Sequence, residues 1–479
     1  MQSGKIVETE LFVARNTSRF VSFRDETRLK ESVQRTMAER TEAACLLETG
    51  ASYSRRIGLK NVEGAIVFAG FKHGGFSIYH DDAPLFHFDL EGRWQRAFID
   101  GIHDLKGLDG SIDAVERPRE GVAMVLRRRR LSFAEGADLD AFIRESCLKL
   151  IEDIHSGRFE PIMPPAFAKF LSPEDLLEFL EKIVSWDSSA WFKNREGYLA
   201  AYGPLPFLPP DGQNSLILQA TIGHAEGVSF GLAPREEHVV RSPGELSEHL
   251  RDVRKFLGKR LSQCRGVFLG GSDLLRRPAE EVESALNAIA TEFPIDPDTK
   301  GRRLTELAED QPRLSGISTF LDDFRDPLPN SSALKSFRDL HLRRVFLGIE
   351  SGDPEIRSLF GKSWTDDSLR ALTANLKGNG IELSILILDA PGGLERRTSH
   401  IAKTVDLLSK LELVRGDLVY LLDSNEVGGE TFRAALLSHG LTPAPRTFDG
   451  LSPFKQALVP FGIKMLSYSL EKQGGNLAS

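Results

Sequence analysis

The C-terminal half of this chain alternates strand-like and helix-like runs in a regular order, which leaves few folds open to it. The strand-like runs are short, apolar and rich in β-branched residues, and they span 216–222, 266–269, 314–320, 344–349, 381–388 and 417–422. The helix-like runs between them span 243–261, 278–293, 333–341, 365–379 and 396–411. Because apolar strands that alternate with helices form parallel sheets covered by those helices, the pattern predicts an α/β fold.

Six strand-helix units are fewer than the eight of a closed triosephosphate-isomerase barrel. The sequence therefore predicts a partial (β/α)6 TIM-like barrel, preceded by a β-rich α+β domain. In such barrels the loops that follow the strands converge at one mouth, where functional groups collect. The polar and glycine-rich residues expected at that mouth are Gly223, His224, Gly270, Gly271, Ser272, Asp273, Thr319, Glu350, Ser351, Gly352, Asp389, Asp423 and Ser424.

The N-terminal half has a different pattern. Residues 61–131 alternate with period two and are punctuated by Gly-Gly, Glu-Gly and Asp-Gly pairs, which predicts an antiparallel β meander. A helical segment over 1–60 precedes it, and a helical connector over 132–204 follows. A proline-rich stretch over 203–212 begins the barrel domain, which we place at 205–430, with a C-terminal extension over 431–479.

Charge and hydropathy restrict the partners. The 479 residues carry a net charge of -8, which argues against a nucleic-acid-binding surface spread over the whole molecule. The run Arg127 to Arg130 is interpreted as the solvated edge of a strand, since alternate side chains point to opposite faces. Because the chain has no apolar run of about eighteen residues and no secretory signal, we expect a cytoplasmic protein without membrane contact. The small molecule or protein partner is left unassigned.

Neither the histidines nor the cysteines have the spacing of a metal site. The meander contains His73, His80, His87 and His103, which fall in different strands or turns without a paired motif. The three cysteines, Cys45, Cys147 and Cys264, lie far apart along the chain. Scattered cysteines of this kind are typically buried core residues, so we predict structural thiols.

Five motifs follow one another in the barrel region. They occupy 267–273 (VFLGGSD), 344–352 (RVFLGIESG), 359–362 (LFGK), 380–388 (GIELSILIL) and 391–393 (PGG). In this order the motifs resemble those of radical S-adenosylmethionine (radical SAM) proteins of the coproporphyrinogen-oxidase and Elongator type. The resemblance covers roughly residues 205–460.

The resemblance implies a binding site for S-adenosylmethionine across the barrel mouth. Its backbone contacts would come from Gly270 and Gly271, because glycine lets the main chain approach a ligand closely. The family often has an acidic residue directly after the glycine pair. Here that position is Ser272, and Asp273 is the acidic residue that could substitute for it. Glu350 and Ser351 resemble the polar positions that contact the ribose or the methionyl end of the cofactor.

The same resemblance shows what this chain lacks. Radical SAM enzymes carry three cysteines spaced C-x3-C-x2-C after the first strand, and these hold a four-iron four-sulfur cluster. The matching positions here are His224, Val228 and Gly231, although Phe230 keeps the aromatic residue that usually precedes the third cysteine. Imidazole can bind iron, so His224 is the one weak candidate metal ligand. The ligands expected for the cluster are therefore absent.

Three functional hypotheses remain open. The first is a degenerate, non-radical pseudoenzyme whose retained rim binds S-adenosylmethionine or a nucleotide. The second is an active radical SAM enzyme whose four-iron four-sulfur cluster has unusual or partner-supplied ligands. The third is a hydrolase or lyase site at the mouth, in which His224 works with carboxylates in general acid-base catalysis. That site would use His224, Glu226, Glu350 and Asp389.

Overall fold

A computed structural model describes most of the chain from Arg55 to Tyr468. The described residues are 55–72, 74–80, 84–120, 123–124, 127–163, 169–203, 205, 208, 214–223, 238–271, 273–297, 314–445 and 450–468. The predicted N-terminal helix, Cys45, His73, Ser272 and the loop from His224 to Gly231 lie outside these residues. The chain divides into two compact units, the first described as far as Asn194 and the second from Arg195 onward.

The first unit contains a ten-stranded sheet in which sequential strands pair antiparallel. Its strand order is β10-β7-β6-β5-β4-β3-β2-β1-β11, and β12 pairs with β1. The turns at Glu91-Gly92 and Asp100-Gly101 join hairpins, as the Xaa-Gly pairs predict. The strands are β1 (Arg55–Asn61), β2 (Ile66–Lys72), β3 (Gly75–His80), β4 (Leu85–Asp89), β5 (Trp94–Ile99), β6 (Ile102–Lys106), β7 (Ile112–Glu116), β10 (Arg127–Arg130), β11 (Phe159–Ile162) and β12 (Lys169–Phe170), and the short pair β8 (Arg119–Glu120) and β9 (Ala123–Met124) forms a separate ribbon.

Three helices follow the meander: α1 (Phe133–His155), α2 (Pro173–Val184) and α3 (Ser188–Ala201). A capping box between Ser132 and Glu135 starts α1, because each satisfies an amide of the other that the helix leaves unpaired. Apolar side chains of α1 and α2 join one core with one face of the sheet. The ring of Phe179 on α2, for example, lies 4.5 Å from that of Phe76 on β3.

The arginine run forms the edge strand β10, and its charges are used within the unit. Arg128 and Arg130 point to the same side and pair with Asp113 at 2.6 and 2.8 Å. Arg129 points to the other side, where it pairs with Glu135 at 2.8 Å. The alternation expected of an extended strand is therefore present, and three of the four charges meet carboxylates of the same unit.

The second unit is built on a seven-stranded sheet whose neighbours are all parallel and in chain order, β13-β16-β17-β18-β19-β20-β21. A short antiparallel ribbon of β14 and β15 stands beside it. The strands are β13 (Ser215–Gln219), β14 (Thr221–Ile222), β15 (Val239–Val240), β16 (Gly266–Gly270), β17 (Ile317–Leu321), β18 (Leu342–Glu350), β19 (Glu382–Leu388), β20 (Leu418–Leu422) and β21 (Met465–Tyr468).

Helices connect these strands: α4 (Pro243–Leu257), α5 (Ala279–Glu292), α6 (Ser331–Asp339), α7 (Pro354–Leu359), α8 (Asp366–Gly378), α9 (Arg397–Ser409), α10 (Ser424–Ser438) and α11 (Leu451–Leu458). Several begin where the sequence signals a start. Ser242 and Glu245 form a capping box around Pro243, and Thr365 accepts a hydrogen bond from the amide of Ser368.

The α/β class is confirmed by this alternation of parallel strands and helices. All six predicted strands are present, with bounds that differ by a few residues, and the first is interrupted at Ala220 before the ribbon strand β14. A seventh strand, β21, lies in the region interpreted as an extension. Among the described residues the sheet ends at β13 and β21 and does not close. The partial-barrel form and the predicted domain bounds stay predictions.

No helix in the described part of the chain is long and apolar enough to cross a membrane.

Candidate ligand site at the carboxyl edge of the parallel sheet

Three phenylalanine rings form a floor on one face of the parallel sheet. Phe268, Phe320 and Phe346 come from the adjacent strands β16, β17 and β18, and their ring centroids lie 5.1 to 5.6 Å apart. Phe320 and Phe346 are directly opposite in the sheet register, and parallel neighbours in register share a face. We call these three rings the aromatic floor.

Two carboxylates stand above the aromatic floor at the carboxyl edge. Asp322 follows Phe320 by two residues, and Glu350 ends the strand that carries Phe346. Between them, Gly348 leaves the space that the Asp322 side chain fills, because a Cβ atom there would lie 2.0 Å from Asp322 Oδ1. Glycine at 348 is therefore needed for the two carboxylates to approach each other.

Glu350 has a strained backbone at this point. Its φ of 56° lies in the left-handed region, where a residue with a long side chain is rare. The register between β18 and β19 shifts between Gly348 and Glu350, so a bulge accommodates the turn of the chain. Strain at a non-glycine residue persists where the surrounding structure holds it, and such sites cluster at ligand-binding positions.

Lys362 holds this arrangement from within the protein. Its ammonium donates a hydrogen bond to the carbonyl of Gly348 at 2.6 Å and lies 2.5 Å from Glu350 Oε2. The distance to Asp322 Oδ1 is 4.0 Å, and the lysine side chain is only 2% exposed. Asp322 and Glu350 keep only 17% and 18% of their side chains exposed, so both are partly buried, and the ammonium is buried more deeply than either carboxylate.

Burial and neighbouring charges shift the pKa values of this group. Burial raises the pKa of Glu350 to about 6, with a further rise from Asp322, while Lys362 opposes both. For Lys362, burial works against the charged form, but the carboxylates of Glu350 and Asp322 outweigh it and raise the pKa. The lysine is therefore charged at neutral pH, and Glu350 titrates near the physiological range.

The glycine pair after β16 is explained by the protein's own packing. Gly271 has a φ of +83°, and a Cβ atom there would lie 2.3 Å from the carbonyl oxygen of Thr221. Asp273, also in the left-handed region, accepts hydrogen bonds from the amides of Asp322 and Asp323 through Oδ1, at 2.9 and 3.1 Å. Asp273 thus fixes the loop that presents Asp322. The predicted cofactor contact of Gly270 and Gly271 stays a prediction.

Ser351 is fully buried beneath the edge. Its hydroxyl lies 2.8 Å from His400 Nδ1 and accepts a hydrogen bond from the amide of Asp353 at 3.0 Å. Because His400 Nε2 meets the carbonyl of Leu388 at 2.9 Å, that nitrogen carries the proton and Nδ1 accepts from the serine. Burial lowers the pKa of His400 to about 4, so the ring is neutral. The role of Ser351 as a cofactor contact remains a prediction.

Asp389 is tied to the next connection. Its Oδ1 accepts hydrogen bonds from the amide and the hydroxyl of Ser424, at 2.9 and 2.7 Å. Burial raises its pKa, and the hydrogen bonds from Ser424 partly offset that rise. Of the four residues in the hydrolase or lyase hypothesis, Glu350 and Asp389 are thus described, while His224 and Glu226 lie outside the described residues.

The two described cysteines are buried. Burial raises the pKa of the Cys147 thiol to about 12 and that of Cys264 to about 11. Cys264 lies two residues before β16, at the amino end of the parallel sheet, and Cys147 belongs to α1 of the first unit. In the described residues, no group of three or more His, Cys, Asp or Glu side chains is arranged to hold a metal ion.

Sequence reasoning missed three members of the site. Lys362 belongs to one of the five motifs but has no predicted role there. Asp322 is not among the residues expected at the mouth, and the three rings of the aromatic floor lie in runs predicted only as strands. The signal for Asp322 was available, since it follows a strand of the sheet directly. No such signal marks Lys362, because it follows helix α7 rather than a strand of the sheet.

No protein-family model matches the chain, and no curated protein matches it. Solved structures of radical SAM enzymes do resemble it. The chain is similar to coproporphyrinogen III oxidase (HemN) from Escherichia coli, with 15% identity and a TM-score of 0.37 over 58% of this chain and 56% of that one. It is similar to the radical S-adenosylmethionine methyltransferase TsrM from Kitasatospora setae, with 13% identity and a TM-score of 0.29 over 46% of this chain and 39% of that one.

A third similar structure is SuiB from Streptococcus suis, solved with its precursor peptide SuiA. It has 11% identity and a TM-score of 0.35, over 78% of this chain and 72% of SuiB. The chain thus spans little more than half of HemN and about two fifths of TsrM. HemN and TsrM are both radical SAM enzymes, the group whose motifs the sequence resembles.

Proposed function

We propose that this protein is a non-radical member of the radical SAM type that binds a cationic nucleoside such as S-adenosylmethionine at the carboxyl edge. The observation that carries the proposal is the pair of carboxylates, Asp322 and Glu350, above an aromatic floor and in front of a buried lysine. On this proposal the second unit is a partial barrel, and the edge is its mouth.

The residues of the chain do not fit an iron-sulfur cluster. Such a cluster needs three thiolates close together, and the chain has three cysteines in all. Cys147 and Cys264 are buried with raised pKa values, which disfavours the thiolate form, and Cys264 lies at the amino end of the parallel sheet. Val228 and Gly231 offer no donor atom where the family has cysteine. We therefore assign no radical chemistry to this protein.

The chemistry of the edge fits a positively charged ligand. Asp273, Asp322, Asp323 and Glu350 supply four carboxylates, while Arg276, Arg325 and Lys362 supply three cations. Asp323 pairs with both arginines, and Lys362 pairs with Glu350 and lies 4.0 Å from Asp322. A sulfonium or ammonium group placed beside Asp322 and Glu350 would be stabilised by their negative charges.

Calorimetry with two ligands tests this proposal. S-adenosylmethionine and S-adenosylhomocysteine differ by a methyl group and by the sulfonium charge. If the carboxylates recognise that charge, S-adenosylmethionine binds at least about tenfold more tightly, which corresponds to roughly 1.4 kcal/mol. Asp322→Asn should remove most of the difference, because it removes the charge and keeps the shape.

The matched control is Asp406→Asn. It neutralises an exposed carboxylate on α9 that pairs with Lys410. It should leave both affinities unchanged. Equal affinity for the two ligands, or no heat with either one, would reject the proposed binding function.

A further inference from the structure

The sheet of the first unit has a second face, opposite the one covered by α1 and α2. Antiparallel residues directly opposite each other point to the same side of a sheet. The register places Ser77, His87 and Arg96 in one row. A second row on the same side contains Phe68, Tyr79, Leu85, Phe98 and His103. We call these eight residues the outer face.

Tyr79 and His103 are the exposed rings of the outer face, while Phe68, His87 and Phe98 are half-buried. Tyr79 is 37% exposed, which is unusual for a large side chain in the middle of a row of paired strands. The rings of Phe98 and His103 lie 4.6 Å apart at an interplanar angle of 38°, and His103 is exposed. The outer face therefore presents flat π surfaces on which another ring can stack.

The outer face is also positively charged. Arg96 is exposed in the centre of it, and Arg117 follows β7 nearby. Among the described residues no carboxylate pairs with either guanidinium. Burial lowers the pKa of His103, and Arg117 and Arg96 lower it further. Burial lowers the pKa of His87 to about 4, with Arg96 and Lys72 as further causes, and no carboxylate opposes the shift.

One acidic residue on the same side of the sheet is already neutralised. Asp113 lies on the same side in the row of Arg96, across β6, but Arg128 and Arg130 hold its carboxylate at 2.6 and 2.8 Å. The chain as a whole is acidic, with a net charge of -8, so a cationic face is a local feature that the average conceals. The ligand that matches such a surface is a polyanion that also contains aromatic rings.

We propose that the outer face binds a single-stranded polynucleotide, whose bases stack on Tyr79 and on the Phe98–His103 pair while its phosphates contact Arg96 and Arg117. Stacking on exposed rings of a sheet combined with phosphate contacts is how proteins engage single strands. A duplex hides the faces of its bases and would meet only the cations. This surface is independent of the ligand site in the second unit.

The test uses the full chain and fluorescence anisotropy. The probe is a labelled RNA of mixed sequence and about 12 nucleotides, with DNA of the same sequence and the corresponding duplex as comparisons. We expect the single strands to bind more tightly than the duplex. Tyr79→Ala should weaken binding at least about fivefold, since one stacked base is lost. Arg96→Ala should reduce the slope of log affinity against log salt by roughly 0.7, the value for one phosphate contact to a single strand.

Two variants in the second unit serve as controls. Arg251→Ala removes an exposed arginine on α4, and Phe461→Ala removes an exposed ring. Neither should change the affinity or the salt slope. Circular dichroism of each variant verifies that it folds. Absence of binding at about 50 mM salt, or binding that Tyr79→Ala and Arg96→Ala leave unchanged, would overturn the proposal. Tighter binding of the duplex would overturn it as well.

Discussion

The buried ammonium of Lys362 lies 2.5 Å from the carboxylate of Glu350, a residue whose backbone is in the left-handed region. This ion pair joins the end of strand β18 to the chain that follows α7. The same ammonium donates a hydrogen bond to the carbonyl of Gly348, the residue whose missing side chain leaves room for Asp322. The candidate site therefore depends on one lysine that never faces the ligand.

Replacing that lysine should destabilise the second unit. Lys362→Met leaves the Glu350 carboxylate largely buried without its partner, and breaking a buried pair in this way costs about 3 kcal/mol. The change in free energy of unfolding can be measured by urea denaturation. Lys410→Met removes an exposed ammonium paired with Asp406 and should shift stability by no more than about 0.5 kcal/mol. Similar values for both variants would contradict the central place given to Lys362.

Stability should depend on pH through Glu350. Its pKa in the folded protein is about 6, above the ordinary value of 4.5, so the native state holds this proton more tightly than the unfolded state. The contribution of Glu350 is therefore greatest below pH 4.5 and falls as pH rises to about 6, by roughly 2 kcal/mol. Glu350→Gln lacks this contribution, so the stability difference between parent and variant should decline over that range and then level off. A difference that is constant with pH would refute the raised pKa.

Binding of a cationic ligand should have the opposite pH dependence. Deprotonated Glu350 attracts a sulfonium, so the affinity for S-adenosylmethionine should rise as pH increases through about 6. In Glu350→Gln the affinity should be lower and independent of pH in this range. Calorimetric titrations at a series of pH values check both expectations, and an unchanged pH profile in the variant would assign the effect to another group.

The serine below the edge can be tested separately. Ser351→Ala removes the donor to His400 Nδ1 and the acceptor for the amide of Asp353, both buried, and should cost about 2 kcal/mol. Ser358→Ala removes an exposed hydroxyl that donates to the carbonyl of Pro354, and should change stability by less than about 0.5 kcal/mol. Urea denaturation compares the two. Equal effects would mean that the buried network contributes little.

Two glycines of the second unit should respond in opposite directions. A Cβ atom at Gly352 would lie 2.5 Å from the backbone of Lys403 and Thr404, so Gly352→Ala must push α9 away and should destabilise strongly. At Gly378, inside α8, nothing lies within 4 Å of that position. Gly378→Ala should therefore stabilise by about 0.5 kcal/mol or more, through helix propensity. Thermal denaturation of both variants gives the comparison.

The fold was predictable to a large degree because its strands are strongly patterned. The parallel strands are short apolar runs, and a proline in the first turn, such as Pro243, marks the start of a helix. Strand β21 was missed because Met465 to Tyr468 is short and lies in a region without a repeating pattern. Periodicity identifies an element, but a four-residue strand offers too few residues for a period to show.

The site and the outer face depend on neighbours that periodicity does not determine. Lys362 reaches Glu350 only because the chain returns after α7, and no sequence spacing encodes that contact. On the outer face, alternation shows that Tyr79 and Arg96 point away from their strand neighbours, but only the register shows that they share a side. The net charge describes the chain as a whole, so it does not show where individual cations such as Arg96 and Arg117 lie.

We propose that this chain binds a ligand at the carboxyl edge without the cluster that radical chemistry requires. The decisive experiment is anaerobic reconstitution with iron and sulfide, followed by an iron count and a visible spectrum of the desalted protein. We expect no stoichiometric iron and no broad visible absorption. About four irons per chain, with the absorption of a cluster, would contradict it.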